Sequence, residues 1–203
     1  MPYLRATSKH GDGFQSLLWA SPASQAARFA AICRLCNFSD LNVLDVGCGR
    51  ADLLDYLRDH GRTPAHYVGI EAVDELAGAA KRKRHPDCTI VQADFIASPA
   101  RMLVGADAIV FCGSLNTLDR AAFHQTIRTA YAAAAHYLLF NFLSSRLLAN
   151  TDWLTWHRPQ EVLSFVRELS DDVTLIDDYL PGDATVMLRK PLTAQEGADA
   201  GPH

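Results

Sequence analysis

Three short segments of the chain put chemistry-bearing residues at the ends of apolar runs. The first is Asp45-Val46-Gly47-Cys48-Gly49-Arg50-Ala51-Asp52, which follows Leu41-Asn42-Val43-Leu44. Glycines at 47 and 49 permit a tight turn and a close approach of backbone to a ligand. The second is Glu71, which closes Tyr67-Val68-Gly69-Ile70. A carboxylate has two acceptor oxygens and can take both hydroxyls of an unphosphorylated ribose. The third is Asp94, in Val91-Gln92-Ala93-Asp94-Phe95. It can accept from an adenine amino group, with Phe95 packed beside the ring. One acid at a strand end is commonplace. A Gly-x-Gly loop and two acids closing three successive strands, in that order, describe a nucleoside site.

The details of the loop argue against a dinucleotide. The dinucleotide fingerprint G-x-G-x-x-G has glycine at its sixth position, where this chain has Asp52. Asp45 stands just before the loop, where it would face a pyrophosphate unfavourably. The P-loop spacing with its Lys-Ser/Thr is absent. A cofactor without phosphates, carrying an amine and a sulfonium, suits an acidic loop better.

These residues need a scaffold, and the apolar pattern supplies one. Ser24 is a candidate cap for a helix through Gln25, Arg28, Phe29, Ile32 and Leu35. Strands are expected at 41–46, 67–70, 89–91, 108–111 and 137–142, with helices after 50, over 73–84, 120–135 and 159–169. The last two strands, 173–176 and 185–188, are separated by the turn signal Pro181-Gly182-Asp183. That connection is too short for a parallel crossover, so the pair should be an antiparallel hairpin. The expected fold is α/β and doubly wound: a mostly parallel seven-stranded sheet with an antiparallel edge hairpin, helices on both faces, and an N-terminal helical extension. Residues 1–190 read as one domain, with 1–40 as extension and cap helix. Residues 191–203 read as a disordered tail.

Bulk properties narrow the classes. The chain has 203 residues, 21% charged residues and a net charge of −4. That balance gives no general attraction to nucleic acid or to an anionic membrane. No apolar run reaches the ~18 residues of a membrane span. The N-terminus lacks the apolar core of a signal peptide. Five scattered cysteines fit a reducing, cytoplasmic setting.

The segment Val43-Leu44-Asp45-Val46-Gly47-Cys48-Gly49 resembles motif I of the class I, Rossmann-like methyltransferases, which use S-adenosylmethionine. The family pattern continues D-x-G-x-G-x-G, and here Ala51 replaces the third glycine. Glu71 matches the family's acidic ribose ligand, and Asp94 its adenine-side acid. Phe111-Cys112-Gly113-Ser114-Leu115-Asn116 falls where the fourth strand borders the methionine part of the cofactor. The resemblance covers 41–190 and is that of a small stand-alone bacterial-type member. It implies a cofactor site of Arg28, Asp45, Gly47, Cys48, Gly49, Glu71, Ala72, Ala93, Asp94, Phe95, Cys112 and Ser114. Arg28, on the helix before the first strand, would hold the methionine carboxylate; a surface arginine is the plain alternative.

The expected activity is methyl transfer from S-adenosylmethionine to an acceptor, with a small molecule favoured by the short chain and its acidic balance. The Asn/Asp-Pro-Pro-aromatic tetrad of amino-methylating nucleic-acid enzymes is missing after the fourth strand. His10, Trp19 and Asn116 are candidates for the acceptor pocket. The Trp153-Trp156-His157 insertion is expected to pin itself to the sheet rather than form a lid. No metal site is expected: Cys33 and Cys36 form a CxxC without partners, inside a helix, and read as buried thiols. Lys81-Arg82-Lys83-Arg84-His85 reads as a solvated helix end. Two other classes compete. A non-catalytic S-adenosylmethionine or nucleoside-binding protein would keep Glu71 and Asp94 and form no product. An NAD(P)-dependent oxidoreductase would need a hydride-site pattern such as Tyr-x-x-x-Lys, and none is present.

Overall fold

A computed structural model describes residues 2–149 and 151–191; the expected tail beyond Pro191 lies outside the described residues. Its seven strands are β1 (Asn42–Val46), β2 (His66–Glu71), β3 (Cys88–Gln92), β4 (Ala108–Phe111), β5 (Tyr137–Leu143), β6 (Asp172–Ile176) and β7 (Asp183–Arg189). They form one sheet in the order β3-β2-β1-β4-β5-β7-β6. The first five strands are parallel, and β7 runs antiparallel to both β5 and β6. The order reverses between β1 and β4. That is the switch point, where the first βα loop and the β4 loop diverge and leave a crevice.

The antiparallel hairpin is present, and its last strand lies inside the sheet rather than at the edge. The reason is legible in burial. Asp183–Leu188 is buried at every position, as a strand covered on both faces must be. β6 alternates, with Asp172 and Thr174 exposed, as suits an edge.

The helices are α1 (Pro2–His10), α2 (Pro22–Leu35), α3 (Asp52–Asp59), α4 (Asp74–Arg82), α5 (Arg120–Ala133) and α6 (Pro159–Val166). They split the core into two layers. One gathers Leu44, Ile109, Phe111, Phe123, Phe140 and Val162; the other gathers Phe29, Ile32, Val43, Leu54, Leu57 and Val110. Adjacent residues of β1 and β4 therefore face opposite layers, as the period of two in a strand requires.

One expectation near the N-terminus needs correction. The cap of α2 is Ser21, three residues before Ser24. The Ser21 amide donates to Ser24 Oγ and the Ser24 amide to Ser21 Oγ, each at 3.1 Å. Pro22 makes this start possible, because the first helical position has no amide to satisfy. The extension before it is helical, as expected, over α1, and a turn at residues 11–13 leads to a 3-10 turn at Phe14–Leu17.

Candidate functional site

β1 ends in a loop whose glycines have left-handed backbone, φ +76° at Gly47 and +55° at Gly49. Gly47 makes a close approach, and the neighbour is protein. A Cβ at 47 would lie 2.3 Å from Ser114 Cβ. Ser114 donates to the Val46 carbonyl at 2.6 Å, which locks the β4 loop onto the β1 loop. Gly49 is tight against Leu17 of the 3-10 turn, and Gly113 against the Trp19 ring. Glycines on both strand ends thus let the N-terminal segment lie directly on the site. Ala51, at the third family glycine, is also left-handed, φ +57°, and fully buried.

Glu71 is buried at the end of β2. Its Oε2 accepts the Gly49 amide and its Oε1 the Val73 amide, both at 2.8 Å. Burial raises its pKa, and these amides pull it down. Asp45 is buried beside it and accepts from Tyr67 Oη at 2.5 Å. Burial pushes Asp45 up to about 7, against the Tyr67 hydrogen bond. Asp94 turns its own loop: Oδ1 accepts the Ile96 amide at 2.8 Å. Phe95 meets Phe111 edge-on at 5.7 Å between ring centroids.

Arg28 is buried, so the surface alternative fails. Its Nε and Nη2 both donate to Asp183 Oδ2, at 2.7 and 2.5 Å. Its guanidinium lies 4.9 Å from the centroid of the Trp19 ring. Asp183 also accepts from Tyr179 Oη, which contacts Thr185 Oγ1 at 2.7 Å. Burial raises the Asp183 pKa, opposed first by the Arg28 charge.

These groups wall a cavity of about 970 Å³ at the carboxyl ends of β1, β2, β3 and β4. Small-molecule sites run to about 300–1,000 Å³. Arg28, Asp45, Gly47, Cys48, Gly49, Glu71, Ala72, Asp94, Phe95, Cys112 and Ser114 all line it, as do Trp19 and Asn116. His10 and Ala93 do not. His10 is exposed at the far end of α1, and the Ala93 amide is spent on the Glu71 carbonyl at 3.0 Å. Trp153 is on the cavity wall and Trp156 is not, while the insertion is tied to β5 by the His157 amide, which donates to the Leu143 carbonyl at 2.9 Å. His157 is buried, stacked on Phe123 at 4.2 Å, and held near pKa 4, chiefly by burial.

The end of the fifth strand, residues 141–145, is a further sequence candidate for the pocket. Leu143 lines the cavity, and Asn141, fully buried on β5, accepts the Gly113 amide at 2.7 Å and so fixes the β4 loop. Other participants were not visible in the sequence. Tyr3, Leu17 and Leu18 reach the wall from the extension, and Gln25 from α2. The sequence offers no signal for these, since each depends on a long-range contact.

The remaining motifs are structural. Cys33 and Cys36 are buried free thiols, raised by burial to about 11 and 12. The basic run is paired: Arg82 with Asp12, Lys83 with Asp52 and Asp55, and His85 with Asp55. Among the described residues no cluster of His, Cys, Asp or Glu could hold a metal ion. No described helix is long and apolar enough to cross a membrane.

A parallel sheet of this order, reversed at its last strand and with an acid-lined crevice at its switch point, is the architecture of a class I methyltransferase dependent on S-adenosylmethionine. Residues 19–170 match the family model described as a methyltransferase domain, and the chain belongs to that family. It is 32% identical over 168 residues to Rv1506c of Mycobacterium tuberculosis, named as a methyltransferase; the match covers 77% of this chain and 98% of that protein. Solved structures share the fold at low identity. The DhpI complex with S-adenosylhomocysteine aligns with TM-score 0.67 and 17% identity, over 93% of both chains. Magnesium protoporphyrin IX methyltransferase from Synechocystis PCC 6803, with bound S-adenosylhomocysteine, aligns with TM-score 0.66 and 15% identity, over 94% of this chain and 93% of that one.

Proposed function

We propose that this chain transfers the methyl group of S-adenosylmethionine to a small molecule, and that the cofactor lies along the ends of β1 to β4. The observation that carries the reading is the carboxylate of Glu71, buried in the wall of the cavity beside the Gly47–Gly49 loop. The Glu71 oxygens accept the Gly49 and Val73 amides, and a carboxylate has about four lone-pair sites, which leaves capacity for ribose hydroxyls. Asp94 and Phe95 take the adenine, and the walls at Ala72, Cys112 and Ser114 the rest of the nucleoside and methionine. Arg28 commits two nitrogens to Asp183; its Nη1 is left for the methionine carboxylate. Structures of other chains in this fold hold the cofactor or its product, which supports the same occupancy here.

When bound, the cofactor supplies an electrophilic methyl carbon on a sulfonium. The protein's contribution is alignment of the acceptor's lone pair with that carbon. No histidine lines the cavity among the described residues. The cavity wall does carry carboxylates, Asp119 and Asp152 among them, which can take the acceptor's proton. Residues 1–190 work as one domain, with the extension as the roof of the site. Five free thiols suit a reducing, cytoplasmic setting.

Calorimetric titration with S-adenosylmethionine, S-adenosylhomocysteine and NAD⁺ tests this reading. Binding of the first two, abolished by Gly47→Arg, is the expected result. Binding of NAD⁺ alone would overturn it.

A further inference from the structure

The cavity also carries an apolar rim. Among the described residues, six large hydrophobic side chains are conspicuously exposed, and four of them, Leu4, Ile96, Leu147 and Trp153, line this one cavity. Leu147 is 66% exposed and Leu4 52%, on segments far apart in sequence. Leu118 and Leu154 continue the same wall. Solitary exposed apolar residues are ordinary; their convergence on one opening marks a binding surface.

Among the described residues that line the cavity, one has a buried side-chain polar atom without a partner. Asn116 follows β4 and is 9% exposed, and its Oδ1 is buried without a hydrogen-bond partner. Its backbone carbonyl accepts the Thr155 amide at 2.7 Å. That bond ties it to the insertion that carries Trp153, while Ser114, two residues earlier, packs on Gly47. Asn116 therefore sits where the cofactor loops meet the apolar rim. A buried acceptor left unpaired is costly, and a ligand that supplies a donor removes that cost.

Charge narrows the ligand further. Arg28 is the one cationic side chain on the described wall, and Asp183 holds it. Asp119 and Asp152 stand on the outer wall. An anionic acceptor would find two carboxylates and, beyond the Arg28 held by Asp183, no cationic side chain on the described wall.

We propose that the methyl acceptor is an uncharged, largely apolar molecule whose reacting end carries a hydroxyl or N–H that donates to Asn116 Oδ1. This rests on the cofactor placement given above and adds the acceptor's chemical class. Asn116 is the group that distinguishes a donor-bearing acceptor from an ether or a carboxylate of the same shape.

The test uses three probes of one shape: para-octylphenol, para-octylanisole and para-octylbenzoate. Each is titrated calorimetrically into the full chain loaded with S-adenosylhomocysteine. The phenol should bind about tenfold more tightly than its methyl ether, as one buried hydrogen bond would give. The benzoate should bind most weakly. In Asn116→Leu the phenol should fall to the level of the ether, with the ether unchanged. Asn116→Asp, isosteric and still an acceptor, should keep the preference. Equal binding of phenol and ether to the wild type would overturn the proposal. So would a preference that survives in Asn116→Leu, tightest binding by the benzoate, or no binding by any probe. The wild-type comparison stands whether or not the variants fold. A separate titration with S-adenosylhomocysteine alone distinguishes failure of the cofactor placement from failure of this inference.

Discussion

Glu71 Oε2 accepts the backbone amide of Gly49 at 2.8 Å, so the acid that closes the second strand is tied directly to the glycine loop that closes the first. Those two features were separate in sequence by 22 residues. In the fold they are one device: the carboxylate both shapes the loop and faces the cavity. Glu71→Ala should therefore weaken S-adenosylmethionine binding by about 1–3 kcal/mol, the cost of losing charge-assisted hydrogen bonds. Glu71→Gln should bind better than Glu71→Ala, because its one carbonyl oxygen still accepts. Calorimetric titration of both variants checks the order. Unchanged affinity in Glu71→Ala would sink the placement of the ribose.

Gly47 tests whether the loop conformation is dictated by protein contacts. Gly47→Ala adds a methyl 2.3 Å from Ser114 Cβ at φ +76°. The combined clash and left-handed strain should cost about 2–4 kcal/mol of stability. Ser114→Gly in the same chain removes the clash and leaves the strain. Urea denaturation should show the double variant recovering part of the loss, and no recovery would mean that Ser114 is not the obstacle.

The Arg28–Asp183 pair is buried on both sides. Removing one partner strands a charge, and Asp183→Ala should cost about 3–5 kcal/mol. Arg28→Met with Asp183→Leu removes both charges and should be clearly less destabilised than either single variant. A double-mutant cycle in urea measures this. If Asp183 also orients Arg28 for the cofactor, Asp183→Asn should weaken S-adenosylmethionine binding while binding of adenosine stays the same.

Asp45 sets a pH dependence. Its pKa is raised from 3.8 to about 7 by burial. The folded protein therefore holds a proton that the unfolded chain has released over this interval. Stability should fall as pH rises from about 4 to 7, by at most ~1.4 kcal/mol per pH unit. Asp45→Asn should flatten that slope, seen in thermal melts at pH 5 and 7.5. A slope that persists in Asp45→Asn would assign it to another group.

The sequence legibly specified the strands whose carboxyl ends line the cavity. Gly47, Gly49, Glu71 and Asp94 were readable because a parallel strand always delivers its carboxyl end to the ligand edge. Chain direction and a period-two apolar pattern suffice to place such residues. The wall at Ala72, Cys112 and Ser114 followed from the same rule. Ala93 is the exception: it is not on the cavity wall, and its amide donates to the Glu71 carbonyl.

Tertiary structure alone decided the rest. Asp183 begins its strand instead of ending it, and only the antiparallel insertion of β7 beside β5 brings it to the ligand edge, opposite Leu143. Arg28 and Asp183 are 155 residues apart, and nothing local to either records the other. Trp19 could be suspected from its position, but its seat on Gly113 depends on how the extension folds back. The apolar rim was equally hidden, since Leu4, Ile96, Leu147 and Trp153 come from four separate segments. Strand ends are fixed by local periodicity and chain direction. A roof and a rim are assembled from long-range contacts, which exist only once the chain has closed.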